Sequence, residues 1–397
     1  MINVPSGQLS RESALSSLSA VVSRAAGSSG ADAEAELALP LRHRYLGDSE
    51  VASAVLAEHK PATVGPFLER MLWRTYCRGW MEGRSGAYLT YRRQVADDFR
   101  RFGVTEAYQK ALSGTTGLDA FDAWNEELTS HGRLSFPARQ WYASIWIFSL
   151  RLPWSLGAAH FQEHLLDVDA AEVVLGWRSV AGLQPPGKHL LAKADEIARF
   201  SEGRFDLKGR LNESAVAQKG PALPPAALMP LPPAASDLLG ENYALLVTPE
   251  DLTPETTSIG SLRPKLVLIP SLESLAPFSY RFSAQVSQAT TAALTETRLR
   301  LAEVYGCPVI DLPQGGDLAG ALGQRLGEDE IPHLVYQHPT VGPWQDLVVA
   351  LTGRDVGLRF FPLRRSWDAA LFPHASQGFA HFQSAAMPLL TRARGQL

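Results

Sequence analysis

Apolar residues recur at helical spacing through most of the first half of this chain. Between Ser10 and Ala26, Leu15, Leu18, Val21 and Val22 fall three or four positions apart, which predicts an amphipathic lead helix. A Gly/Ser break follows, so residues 1–34 read as this helix plus a flexible segment. Helical periodicity then returns over Val51–Glu58, Phe67–Glu82, Tyr88–Phe102, Gly117–Ser130, Ala138–Leu152 and Leu156–Leu166, with Gly and Pro between the segments. The proline-rich run Gly220–Ala235 can neither continue a helix nor enter a central strand, and reads as an extended, semi-rigid linker. Beyond it the pattern changes. Short apolar runs at Tyr243–Val247, Lys265–Pro270, Pro308–Leu312, His333–Gln337 and Leu358–Leu363 alternate with helical segments, which predicts a parallel sheet flanked by helices. The expected fold class is multi-domain α and α/β. An all-helical domain spans 35–212, a Pro/Ala-rich linker 213–240, and a Rossmann-like parallel-sheet domain 241–397.

Composition narrows the function classes. The chain is 45% hydrophobic and 20% charged, with a formal net charge of −4, which excludes a generally basic nucleic-acid-coating protein. Two cysteines, Cys77 and Cys307, exclude a disulfide framework and point to a reducing compartment. No apolar run has the length of a membrane span and no signal-peptide pattern opens the chain. A cytoplasmic protein without a membrane partner is expected. No GxGxxG, P-loop or GxSxG occurs, and His333, His338 and His374 are not at metal-ligand spacing, so no metal site is expected. Gln314-Gly315-Gly316 follows a predicted strand where α/β sheets often bind ligands, although such a pair is more often a turn.

Several blocks are more specific. They are Trp73-Arg74-Thr75-Tyr76-Cys77-Arg78-Gly79-Trp80; Thr116 to Trp124 with Gly132; Ala143 to Phe148 with Leu152-Pro153-Trp154 and Gly157; Leu166-Asp167-Val168-Asp169 with Gly176-Trp177-Arg178 and Ala181 to Gln184; and Ile197 to Phe200 with Gly203-Arg204-Phe205. In this order and spacing they resemble a bacterial branch of the DNA photolyase/cryptochrome family, over about Phe67 to Phe205. The run Leu363 to Asp368, with Phe372-Pro373-His374 and Gly378-Phe379, resembles the tail of the same branch. Most photolyases place an α/β antenna domain before the helical domain, so the order here is inverted.

The resemblance implies FAD in the helical domain. Arg74 matches an arginine that helps hold the flavin, and a guanidinium fork suits phosphate or carbonyl oxygens; the plainer alternative is an arginine on an amphipathic helix. Arg139 and Asp167 match an arginine–aspartate pair against the flavin ring, and Asp169 a carboxylate at the ring edge; a buried structural ion pair is the alternative. Trp73 matches an aromatic that stacks on a flipped pyrimidine lesion, or is a core tryptophan. Trp177 and Trp154 match the first two members of an electron-transfer chain, and Tyr108 is the candidate for the third.

The departures cluster in the same pocket. A Ser-rich phosphate-gripping turn is replaced by Ala35-Glu36-Leu37-Ala38-Leu39-Pro40, followed by Arg42-His43-Arg44. Arg70 stands where a lesion-binding glutamate is usual, with Glu69 beside it. Ser135 and Phe136 replace a His-Asn pair, Val173 replaces the asparagine facing the flavin, Val168 a glycine and Ser179 a tryptophan. Each buried flavin group left unpaired costs about 1–3 kcal/mol. The leading expectation is a divergent photolyase-like flavoprotein with blue-light photoreduction through Trp177 and Trp154 and with DNA as a partner. Ordinary dimer repair by an FAD-dependent lyase is disfavoured by the replaced groups. The alternatives are a flavin-free pseudoenzyme acting as an interaction or DNA-binding scaffold, and a pocket made more apolar by Phe136 and Val173 that takes another ligand. The residues name neither an antenna chromophore nor a protein partner.

Overall fold

The computed structural model of the chain describes residues 9–24, 30–221, 223, 225–227 and 240–393. Its first part is helical: α1 (Arg11–Arg24), α2 (Gly30–Arg42), α3 (Asp48–Glu58), α4 (Gly65–Glu82), α5 (Ser85–Phe102), α6 (Glu106–Ser113) and α7 (Asp119–His131). Then come α8 (Phe136–Ser144), which runs into the π-helical turn Ile145–Ser149, α9 (Trp154–His164), α10 (Ala170–Ala181) and α11 (Ala194–Phe200). The segment expected to be flexible up to residue 34 is in part α2, because its alanine-rich sequence favours helix and the helix packs on α1 and α4. The periodicity reading passes over α10. That helix buries nine residues, Ala170, Ala171, Val173, Val174, Leu175, Trp177, Arg178, Val180 and Ala181, so no polar face marks it as amphipathic. Asp169 caps its first turn and Gly182, at φ 77°, closes its last.

Five parallel strands follow: β1 (Tyr243–Leu246), β2 (Leu266–Ile269), β3 (Val309–Asp311), β4 (His333–Gln337) and β5 (Arg359–Leu363). Their order is β3-β2-β1-β4-β5, so the direction of winding reverses between β1 and β4. The central strands β1, β2 and β4 sit on apolar runs because they are buried on both faces, while the edge strands β3 and β5 are only partly buried. Tyr243 and Leu245 of β1 join one core with α12 (Ala284–Tyr305) and the helical domain, whereas Ala244 and Leu246 join a second core with α13 (Leu318–Glu328) and α14 (Pro343–Thr352). The proline-rich run lies largely outside the described residues; where it is described, the Ala227 amide donates to Gly83 O at 2.9 Å.

After β5 the chain leaves the sheet. The helices α15 (Ser366–Leu371) and α16 (Phe379–Ala393), joined by a 3-10 turn at Phe372–Ser376, return to α4. Gly79 permits this approach: a Cβ there would stand 2.9 Å from the Phe372 ring and 3.0 Å from Ala375. Within the stretch expected to be α/β, Leu371, Ala375, Phe382, Ala386 and Leu390 belong to the helical core. Among the described residues no helix is long and apolar enough to cross a membrane.

The domains are joined by buried charge at the carboxyl ends of β1, β4 and β5. Arg42 forks onto Glu250 (2.8 and 3.0 Å) and donates to Val168 O (2.8 Å). Arg44 donates to Asp368 at 2.5 Å and faces Asp251 at 3.6 Å, while Arg365 forks onto Asp251 at 2.6 Å through both nitrogens. Burial would raise the Asp251 carboxyl, but Arg365 and Arg44 outweigh it and hold the carboxyl below its ordinary range. Two buried imidazoles stay neutral: His43, which bonds Pro249 O at 2.8 Å, and His160, which bonds Asn125 Oδ1 at 3.0 Å. Burial pushes both down to about 3, helped by Arg42 beside His43 and by His164 beside His160.

Asp251→Ala leaves two buried guanidinium groups without their shared carboxylate and should cost about 3–5 kcal/mol. A fall in the urea midpoint at unchanged slope is the expected reading; an unmoved midpoint would show that the pairing contributes nothing. The two imidazoles take up protons near pH 6.5 when unfolded and only near 3 when folded, so stability should decline as pH falls through that window. The slope should approach about 1.4 kcal/mol per pH unit for each imidazole. Urea unfolding at pH 6.5 and pH 5 measures it, and a flat profile contradicts the assignment.

Candidate functional site

The residues that the resemblance assigns to a flavin floor do come together, between α4, α8 and the start of α10. Arg139 Nη2 donates to both oxygens of Asp167 at 2.7 and 2.8 Å, and its Nε donates to Leu134 O. Arg74 and Arg78 lie one turn apart on α4. Arg74 reaches Glu172 at 3.3 Å and the Asp167 carbonyl at 3.4 Å; Arg78 reaches Asp169 at 2.6 Å and Asp48 at 3.9 Å. Asp169 also accepts from the Glu172 amide at 2.8 Å as the N-cap of α10. Burial opposes ionisation of Asp169, but Arg78 and Arg42 outweigh it and lower its pKa. Glu172 and Arg78 are partners that motif reading missed, because neither marks itself before α4 and α10 are brought together.

The rest of the set packs to differing depths, with Phe136 exposed and Arg70 and Trp73 half-buried. Trp73 packs edge-on against Phe379 of α16 at 5.2 Å and beside Tyr76 at 5.5 Å, so the ring expected to meet a lesion lies under the C-terminal helix. Arg70 lies over the Phe136 ring at 3.8 Å. Val173 is buried in α10. The segment aligned with a phosphate-gripping turn is helical in α2, with Leu37 and Leu39 buried. Trp177 packs on Phe161 (5.0 Å), Trp146 (6.1 Å) and Gly157, where any side chain would strike its ring. Trp154 packs on Tyr91 (5.6 Å) with Arg178 above it (5.7 Å), and no ring contact among the described residues joins it to Trp177.

A flavin resting on that floor would meet carboxylates already engaged by guanidinium groups, while Arg78 Nη1 and Nη2 and Trp177 Nε1 are buried without a hydrogen-bond partner. Of Trp73, Arg74, Phe136, Arg139, Asp167, Asp169 and Val173, only Asp169 lines either of the two principal cavities.

The larger cavity lies elsewhere, at the domain boundary. It encloses about 810 Å³ between α5, α9 and the loop 165–170 on one side, and residues 272–290 with Pro343 and Trp344 on the other. A volume of this size suits a small-molecule ligand. Its walls carry Tyr88, Tyr91, Tyr108, Tyr280, Phe282 and Trp344. The hydroxyl of Tyr91, a side chain 3% exposed, finds no hydrogen-bond partner, nor do Gln162 Nε2 and His164 Nδ1, whereas the Tyr88 hydroxyl interacts with that of Tyr280. Burial pushes the Tyr88 and Tyr91 phenols well above their ordinary range and His164 below its own. Buried polar atoms are almost always paired, so three unpaired around one cavity make it a candidate recognition surface. The α5 stripe Tyr88, Tyr91, Val95 and Phe99 is legible as one helix face; that a second domain stands opposite it is not. The second cavity, about 20 Å³ among Arg44, Arg78, Asp251 and Asp368, belongs to the charged interface.

Comparison with known proteins places the helical part. Residues 67–209 match the family described as the FAD binding domain of DNA photolyase. Cryptochrome DASH of Idiomarina loihiensis is 34% identical over 79 residues, 20% of this chain and 18% of that protein. Cryptochrome-1 of Arabidopsis thaliana is 35% identical over 114 residues, 28% of this chain and 16% of that protein. Deoxyribodipyrimidine photo-lyase of Streptomyces griseus is 28% identical over 142 residues, covering 35% of this chain and 31% of that protein. The chain thus matches less than a third of the length of each of these relatives. No solved structure matches it. The matched stretch holds nearly all of α4 to α11 and the whole Arg74/Arg139/Asp167/Asp169 set, so the helical domain is the part that supports a photolyase/cryptochrome family member.

Proposed function

We propose that this chain is a ligand-binding member of its family whose ligand sits in the cleft between the two domains. The observation that carries this reading is the buried, unpartnered Tyr91 hydroxyl beside an 810 Å³ cavity with aromatic walls, set against a floor that reaches the two cavities only through Asp169. Aromatic walls with hydroxyl and amide donors suit a planar heteroaromatic compound with accepting edges. A flavin has this chemistry. Tyr91 and Tyr108 line the cleft and pack on Trp154 and Trp146, so an indole stands one ring behind the ligand on each path. Blue-light photoreduction through Trp177 and Trp154 rests on family resemblance, and Arg178 beside Trp154 opposes it, because a cation disfavours removing an electron from the indole. Repair of pyrimidine dimers would further require α16 to leave Trp73. DNA is proposed as a partner on the resemblance alone; absence of a retarded species with irradiated duplex at low salt would remove it.

Titration of purified protein with FAD and with riboflavin, followed by flavin fluorescence, separates the readings. Binding that Ala96→Trp abolishes, that Tyr91→Phe weakens roughly tenfold, and that Arg139→Gln leaves intact supports the cleft. The reverse pattern puts the flavin on the floor and overturns it. No binding by the wild type favours the flavin-free scaffold.

A further inference from the structure

We propose that Phe278–Phe282 is a lid on this cleft, held shut by Arg92 of α5 from across the domain boundary. The lid's role rests on the cleft being the ligand site. The segment joins the 3-10 turn Leu272–Phe278 to α12 and has no regular structure of its own after Phe278. Ser279, Tyr280, Arg281 and Phe282 all line the cleft, yet Ser279 and Arg281 are exposed on the outside. The wall is therefore one strand thick.

Its backbone is weakly held. Among the described residues, the amides of Tyr280, Arg281 and Phe282 make no backbone–backbone hydrogen bond. The far end is pinned where the Ser283 amide donates to Glu163 O at 2.8 Å. Ser279, at φ 57°, is a non-glycine residue in the left-handed region, which costs about 1–2 kcal/mol and gives the near end a strained hinge. Segments with few backbone bonds and exposed side chains open most readily.

Arg92 supplies what the backbone lacks. Its guanidinium donates to Phe278 O at 2.8 Å, pairs with Asp346 of α14, and lies over the Tyr280 ring at 4.4 Å. Tyr280 Oη donates to Asp346 as well, at 2.8 Å. The lid is also tied to α5 by a Tyr280–Tyr88 hydroxyl interaction and by Arg281 over the exposed Phe99 ring at 5.7 Å. With Arg92 32% and Asp346 19% exposed, water screens the pair, so it closes the lid without sealing it.

Hydrogen exchange on the full chain without ligand tests the latch directly. In Arg92→Met and in Asp346→Asn, the Ser283 amide, bonded to Glu163 O at the lid's far end, should exchange roughly tenfold faster, while amides in the middle of α12 stay at the wild-type rate and Arg93→Met changes nothing. Unchanged exchange at Ser283 in both latch variants overturns the proposal; so does acceleration that spreads through the sheet, which would mark Arg92 as merely structural. With FAD as the probe, stopped-flow fluorescence should show association and dissociation both faster in Arg92→Met. Faster dissociation alone means a lost contact and counts against a lid. If wild-type protein binds no FAD, the cleft reading fails for that probe, and the exchange data still decide whether the lid exists.

Discussion

The Arg42/Arg44/Asp251/Arg365 network fixes where one domain stands against the other. A buried charge without a partner is costly, so each of these side chains confines the opposite domain to the position where its partner lies. The backbone reflects this constraint. Arg44 adopts φ 54°, a left-handed conformation unfavourable for an arginine, and in it the residue pairs with Asp251 and Asp368 while its carbonyl accepts from Thr253 Oγ1 at 2.6 Å. The network occupies the crevice outside the carboxyl ends of β1 and β4, where the winding of the sheet reverses and α/β domains ordinarily receive a ligand. Here the helical domain's own guanidinium groups fill it.

The same rule of pairing bears on both candidate sites. On the inherited floor, Arg139 is held by Asp167, Arg74 by Glu172, and Arg78 by Asp169, which also caps α10. These contacts make a junction between α4, α8 and α10, with Arg78 Nη1 and Nη2 left as buried donors without a partner. At the domain boundary, buried polar atoms of Tyr91, Gln162 and His164 are unanswered as well, and there the space beside them is large. Because the charged network holds the domains in register, it also sets the width of that space.

The order of the domains gives the tail a second role. After β5 the chain crosses back to α4, where Gly79 admits Phe372 and Ala375, and Trp367 Nε1 bonds Thr75 Oγ1 at 3.0 Å. Phe379 then covers Trp73. A segment that completes the helical core thereby closes the face on which the family resemblance would seat a damaged base.

Much of this protein was legible along the chain. Each of the five apolar runs became a parallel strand; in β1, β2 and β4 burial on both faces selects apolar side chains, which needs no knowledge of what covers them, and the edge strands β3 and β5 are partly buried. The blocks around Trp73, Arg139, Asp167 and Trp177 identified the helical domain and were matched by its family. That Arg139 meets Asp167, 28 positions away, followed from the resemblance; that Arg78 meets Asp169, 91 positions away, and Arg44 meets Asp368, 324 positions away, did not. Periodicity is a local property and reports which residues are buried. Pairing depends on contacts between distant segments, so the tertiary structure alone decided how the floor's charges pair, that Phe379 packs on Trp73, and that unpaired atoms of Tyr91, Gln162 and His164 meet a cavity between the domains.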